Sequence, residues 1–153
     1  IKLFGKNIKI PRLQCWYADE GCNYKYSGKM LERNNWHPTL LEIKSSIEFI
    51  TSQKYNSVLA NYYRDGSDSM GWHSDDESML DKDSAIASVS LGQERPLHFK
   101  HKNQDISFAI DQSHGSVIVM DGDTQKYWKH CIKKSKKLMK PRLNLTFRTI
   151  ITA

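Results

Sequence analysis

The chain has 153 residues, of which 39% are hydrophobic and 26% charged, and carries a net charge of +6. That length suits one domain with a core and a cavity and is short for two typical units. No apolar run approaches the roughly 18 residues of a membrane span, and no charged-then-apolar leader is present. Because the sequence opens at Ile1 without Met, it is expected to be an excised domain or a trimmed chain, so the missing signal is uninformative.

In chain order, the first clear element follows Asn35-Trp36-His37-Pro38. There Leu40, Ile43, Ile47 and Ile50 recur at three-four-three spacing and predict a helix of about three turns with one buried stripe. After Gln53 the pattern changes to short segments rich in β-branched and aromatic residues. Strands are predicted at Ser57 to Tyr63, Ala85 to Leu91, Pro96 to His101, Ile106 to Ile110, Ser116 to Met120, Tyr127 to Ile132 and Leu143 to Ile151. Turn signals fall at Asp65-Gly66-Ser67, Lys102-Asn103-Gln104, His114-Gly115 and Asp121-Gly122-Asp123. Repeats and low-complexity linkers are absent. Many short strands after one helix imply a mainly β fold with a flanking N-terminal helix, a sandwich or barrel. A double-sheet jelly roll among these leaves a mouth between its sheets for a ligand.

Cys15, Cys22 and Cys131 are odd in number and form no C-x-x-C pair, which argues against a disulfide framework and a thiolate zinc site. They read as packing residues in a reducing compartment, as do Trp16, Trp36, Trp72 and Trp128. Charge is unevenly spread. From Thr124 onward there are nine Lys or Arg and no acid, so Lys133 to Lys140 reads as an exposed basic loop facing a polyanion.

The chemistry gathers in two places. His73-x-Asp75 puts an imidazole and a carboxylate on one side of an extended segment, and His130 is expected from a strand of the facing sheet. Two imidazoles and one carboxylate leave about three positions of an octahedral iron open, which suits an oxygen-activating Fe(II) centre. In Arg142-x-Asn144-x-Thr146-x-Arg148 the polar residues share one face and Leu143, Leu145, Phe147 and Thr149 the other. Arg is the side chain whose planar fork grips a carboxylate, so this row is read as an anion site. The two arginine α-carbons should lie roughly 20 Å apart at about 3.3 Å per residue. Arg142 is therefore assigned to a remote carboxylate and Arg148 to the metal-proximal end.

Several stretches, in this order and spacing, make the chain resemble the AlkB family of Fe(II)/2-oxoglutarate-dependent nucleic-acid demethylases. They are Phe4-Gly5-Lys6, Pro11-Arg12-Leu13, Tyr24-Lys25-Tyr26-Ser27-Gly28, Asn61 to Gly66, Gly71 to Glu77, Ile86 to Gly92 and Pro141 to Arg148. The resemblance implies a double-stranded β-helix (jelly roll) over 1–153, with 1–52 as a nucleotide-recognition and helix segment and 53–153 as the core. It implies iron on His73, Asp75 and His130, and 2-oxoglutarate contacted by Asn61, Tyr63, Arg142, Asn144, Thr146 and Arg148, with O2 as the oxidant. A flipped-out base would stack between Tyr26 and the His73 ring, flanked by Tyr24 and Ser27. Asp76 would accept a hydrogen bond from its exocyclic amine, with Glu77 assisting, and Phe4, Gly5 and Lys6 would touch the base stack.

The activity so implied is oxidative demethylation of bases such as 1-methyladenine and 3-methylcytosine, with release of formaldehyde. The partner would be alkylated DNA or RNA, with no membrane involved and the protein a monomer. The setting would be intracellular, cytoplasmic if bacterial and nuclear if eukaryotic. Lys100 to Ser116 is short beside relatives with a long basic hairpin there, so single-stranded DNA or RNA, or a bacterial-type enzyme accepting both, is expected. Two rivals stand beside this reading. A zinc hydrolase on the same triad would have no need of the arginine row. A non-catalytic nucleic-acid-binding module would use the lysines and tyrosines alone.

Overall fold

The computed structural model describes residues 2–3, 6–26 and 28–152, with side chains described from Ile8 onward. Six short strands precede the long helix: β1 (Lys2–Leu3), β2 (Lys6–Asn7), β3 (Leu13–Ala18), β4 (Lys25–Tyr26), β5 (Lys29–Met30) and β6 (Arg33–Asn34). Helix α1 (Pro38–Thr51) is followed by β7 (Ser57–Tyr63), β8 (Met70–His73), β9 (Ile86–Gly92), β10 (Arg95–His101), β11 (Ser107–Gln112) and β12 (Ser116–Met120). A short helix, α2 (Gly122–Tyr127), then leads into β13 (Trp128–Ile132) and β14 (Arg142–Arg148).

These elements form a jelly roll of two main sheets. The major sheet has the order β12-β9-β14-β7-β3-β6 and the minor sheet β11-β10-β13-β8, while β1-β2 and β4-β5 are small separate ribbons. Strand β14 lies at the centre of the major sheet, antiparallel to both neighbours, with Arg142 opposite Tyr63 on one side and Gly92 on the other. Its pleat is buried on both faces, as a central strand between two layers requires. Leu145 and Phe147 pack outward with Val58, Ala87 and Val89 beneath Ile47 of α1, while the polar residues turn inward. Between the sheets lies a second cluster, Tyr63, Ile86, Leu97, Phe99, Met120 and Ile132, drawn from both layers. No helix among the described residues is long and apolar enough to cross a membrane.

Helix α1 starts where the sequence predicts, with His37 Nδ1 accepting from the Thr39 N–H and Pro38 in the first turn, where a missing N–H costs nothing. Its buried stripe is shorter than expected: Ile47 is buried and Leu40 and Ile43 pack against the core, but Ile50 is 66% exposed. Asp121-Gly122-Asp123 is no simple turn. Asp121 Oδ1 caps the Thr124 N–H and opens α2. Tyr127 belongs to α2 and not to the strand after it, β14 stops at Arg148 short of the expected Ile151, and Trp72 is exposed instead of packed in the core. The cysteines are free, with Cys22 and Cys131 buried.

Candidate active site

The metal triad is assembled by register. His130 on β13 lies directly opposite His73 on β8, and the two rings sit 4.2 Å apart between centroids. They are therefore neighbours in one sheet, which corrects the expectation that His130 arrives from the facing sheet. One ligand atom from each of His73, Asp75 and His130 lies within 4.8 Å of the others. Strand β8 ends at His73, so the pleat alone does not aim Asp75. Two other groups do so. Gln125, buried on α2, accepts the Asp75 N–H at 2.8 Å, and Arg148 Nη2 stands 3.1 Å from Asp75 Oδ1. Ser74 Oγ donates to Trp128 O at 2.7 Å and fastens the residue between the two ligands.

The electrostatics follow from that packing. Burial raises the Asp75 pKa, but Arg148 and the two imidazoles outweigh it and hold the carboxyl at about 2. Burial and the neighbouring His73 ring lower His130 to about 4, so it is a neutral imidazole at pH 7, the form that binds a metal. Beyond the Arg148 ion pair, neither Asp75 oxygen nor His130 Nδ1 has a hydrogen-bond partner among the described residues.

Along the same inner face, the other end of β14 is arranged differently. Arg142 Nε donates to Ser90 Oγ at 2.9 Å and Nη2 to Gln112 Oε1 at 2.5 Å, while Nη1 and the Tyr63 hydroxyl are buried with no hydrogen-bond partner among the described residues. No carboxylate pairs with Arg142 among the described residues, and burial lowers its pKa to about 10. Asn144 and Thr146 line the cavity, but their donors are already used: Asn144 Nδ2 reaches Ser88 Oγ and Val89 O, and Thr146 Oγ1 reaches Asn144 Oδ1. Asn61 sits opposite Asn144 in register, and its Oδ1 accepts from both Arg12 Nε and Gln14 Nε2. Two donors on one atom identify it as the oxygen and leave Nδ2 as the remaining donor. The cavity between the arginines is narrow, about 20 Å³, with room for little more than one water until side chains part.

On the side of β4, Tyr24 and Tyr26 are both buried, and burial raises both phenols. Tyr24 donates to Glu77 Oε1 at 3.2 Å, the second Glu77 oxygen is buried without a hydrogen-bond partner among the described residues, and burial raises the Glu77 pKa. Asp76 is exposed. Phe4, Gly5 and Ser27 lie outside the described residues, as does the side chain of Lys6. Sequence reasoning missed Ser90, Gln112 and Gln125, which clamp Arg142 and Asp75. Arg12 was only part of a resembling stretch, yet it links Asn61 to the Tyr26 hydroxyl at 3.4 Å.

A family model described as the 2OG-Fe(II) oxygenase superfamily matches residues 5–148. The chain belongs to the 2OG-Fe(II) oxygenase superfamily. Within this superfamily its relatives place it in the AlkB family. It is 38% identical over 159 residues to the DNA oxidative demethylase ALKBH2 of Homo sapiens, covering 99% of this chain and 61% of that protein. It is 41% identical over 150 residues to the alpha-ketoglutarate-dependent dioxygenase alkB homolog 3 of Bos taurus, covering 92% of this chain and 52% of that protein. The Arabidopsis thaliana ALKBH2 is 33% identical over 178 residues. The chain spans less than two thirds of the length of these relatives. The two groups in the superfamily's name fit the residues present. At one end His73 Nε2 and His130 Nε2 lie 3.6 and 3.8 Å from the Asp75 carboxylate oxygens, and at the other Arg142 Nη1 and the Tyr63 hydroxyl are buried with no acid beside them among the described residues.

Proposed function

We propose that this oxygenase demethylates N-alkylated bases in DNA or RNA, of the 1-methyladenine and 3-methylcytosine type. The observation that carries the reading is the buried pairing of a His73-Asp75-His130 triad with an uncompensated Arg142 on one cavity wall. A zinc hydrolase would use the triad and leave that arginine unexplained. Bound iron and 2-oxoglutarate would supply oxygen activation: the N-methyl group, O2 and 2-oxoglutarate give an N-hydroxymethyl group, succinate and carbon dioxide, and the hydroxymethyl group leaves as formaldehyde.

The chain's own residues do the positioning. His73, Asp75 and His130 hold the metal, with Gln125 and Arg148 keeping Asp75 turned towards it. Arg142 and the Tyr63 hydroxyl bind the far carboxylate of the co-substrate, with Ser90 and Gln112 fixing the guanidinium plane. Asn61 Nδ2 adds a donor, while Asn144 and Thr146 hold strands β14 and β9 in place from within the sheet. The apolar wall of Met70, Leu97, Met120 and Ile132 excludes water from the reacting centre. On the base side, Tyr26 and the His73 ring flank the extruded base. Asp76, which lines the same cavity as Asp75 and Glu77, accepts from the exocyclic amine, and half-buried Glu77, oriented by Tyr24, assists. The chain is taken to act as an intracellular monomer on single strands.

The test is formaldehyde release from methylated single-stranded oligonucleotides, dependent on both iron and 2-oxoglutarate. His73→Ala should abolish it; retained turnover would refute the triad.

A further inference from the structure

Strand β8 is one of the two edges of the minor sheet, and its last two residues turn to opposite faces, His73 into the cavity and Trp72 outward. Trp72 is 37% exposed. Lys100 Nζ lies 4.5 Å and Lys133 Nζ 5.9 Å from its ring centroid. From the ring a shallow groove of about 430 Å³ crosses β10 and β11, bordered by His98, Lys100, Ile106 and Phe108. Exposed Lys129 sits opposite Lys100 in register. The groove leads on to the lysine loop, where Lys134, Lys136, Lys137 and Lys140 are exposed.

That loop has a fixed base. Ser135 N–H donates to Gly66 O at 2.7 Å, and Arg95 Nη2 to Lys133 O at 2.8 Å. Any side chain at Gly66 would meet Ser135 O at 2.5 Å, so only glycine allows the approach. The lysines therefore project from an anchored backbone. Against them on this side stand Asp105 at the groove and Asp111 near His98. Such an excess selects a polyanion. The exposed ring narrows the class further, because an unpaired base has a π-face to offer it and neither an acidic peptide backbone nor a closed duplex does.

We propose that Trp72, with Lys100, Lys133 and the lysine loop, forms a second strand-holding surface on the outer face of the minor sheet, stacking an unpaired base one sheet edge away from the base under repair. This rests on the nucleic-acid reading above. A single strand leaving the cavity over β8 meets Trp72 first. As the base takes the ring, the Lys100 ammonium moves to the adjoining phosphate.

The experiment is fluorescence anisotropy of a labelled, unmethylated oligothymidylate of about twelve nucleotides with the whole chain at several salt concentrations. Trp72→Ala should weaken binding about five-fold or more, and Trp72→Phe should restore most of it. Lys100→Gln combined with Lys133→Gln should reduce the slope of log affinity against log salt by about 1.4, two phosphate contacts' worth. A duplex of equal length should be indifferent to Trp72→Ala. Unchanged single-strand binding by Trp72→Ala, or displacement of the strand by polyglutamate as readily as by unlabelled oligothymidylate, would overturn the proposal. Turnover of methylated strands by the unaltered chain is measured in parallel. Its absence with the Trp72 effect intact would remove the demethylase reading and leave this surface standing, and turnover without that effect would do the reverse.

Discussion

Arg142 and Arg148 close the two ends of one strand face, share a cavity and are equally buried, yet they live under opposite electrostatic conditions. Arg148 has Asp75 at 3.1 Å, which outweighs the cost of burial and raises its pKa. Arg142 has neutral partners among the described residues, Ser90, Gln112 and the Tyr63 ring, and burial pulls its pKa down from 12.5 to about 10. A lowering of that size corresponds to on the order of 3 kcal/mol of burial cost at neutral pH. A paired guanidinium is part of the fold. An unpaired one is stability held back until a dianion arrives, and that difference separates the arginine that orients a metal ligand from the one that selects a co-substrate.

The comparison breaks most directly at Asp75. Asp75→Asn leaves Arg148 buried without its acid, which should cost the metal-free chain about 3–5 kcal/mol, read as a fall in thermal midpoint of roughly ten degrees. The pH dependence has a definite sign. Because the folded carboxyl titrates near 2 and the unfolded one near 3.8, the pair's contribution is full above pH 3.8 and is lost as pH falls through 2. The gap between wild type and Asp75→Asn should therefore hold from neutrality to about pH 4 and close below it. A midpoint within two degrees of wild type at pH 7 would show that Arg148 does not need this partner.

Arg142→Met should behave in the contrary way. Removing an uncompensated charge relieves its burial cost while stranding Ser90 Oγ and Gln112 Oε1, so stability should stay within about 1 kcal/mol of wild type or rise above it. Function should suffer instead: 2-oxoglutarate should raise the midpoint of the wild-type chain and not that of Arg142→Met. A loss of stability as large as that of Asp75→Asn would erase the distinction between the two ends.

The sequence carried this contrast only in part. The alternation of β14 marked both arginines and their common face, because a strand between two layers writes its pleat directly into residue type. Strand β7, Ser57–Tyr63, and β12, Ser116–Met120, were legible for the same reason. What could not be read locally was register. That Ser90 and Gln112 meet Arg142, or that His130 faces His73 within one sheet, depends on pairings between segments 30 to 57 residues apart, as the sequence numbers show. Helix α2 escaped because Asp-Gly-Asp signals a turn and an N-cap alike, and only the Asp121 contact with the Thr124 N–H decides between them.

Gln125 supplies the finest adjustment to the Arg148 end. Its Oε1 takes the Asp75 N–H at 2.8 Å, its Nε2 reaches the Met120 sulfur, and its own backbone oxygen is held by Lys102 Nζ at 2.8 Å. The side chain is 8% exposed, so Gln125→Leu keeps the volume and removes the acceptor, leaving a buried N–H unsatisfied at about 1–3 kcal/mol. If Arg148 alone aims Asp75, metal affinity should be untouched and only stability should fall. If the backbone hydrogen bond shares the task, as the end of β8 at His73 argues, iron should also dissociate more readily by about ten-fold, in line with the loss of a group that orients a metal ligand. Titration of the variant with a ferrous surrogate such as Mn(II), followed by paramagnetic resonance, measures that difference directly.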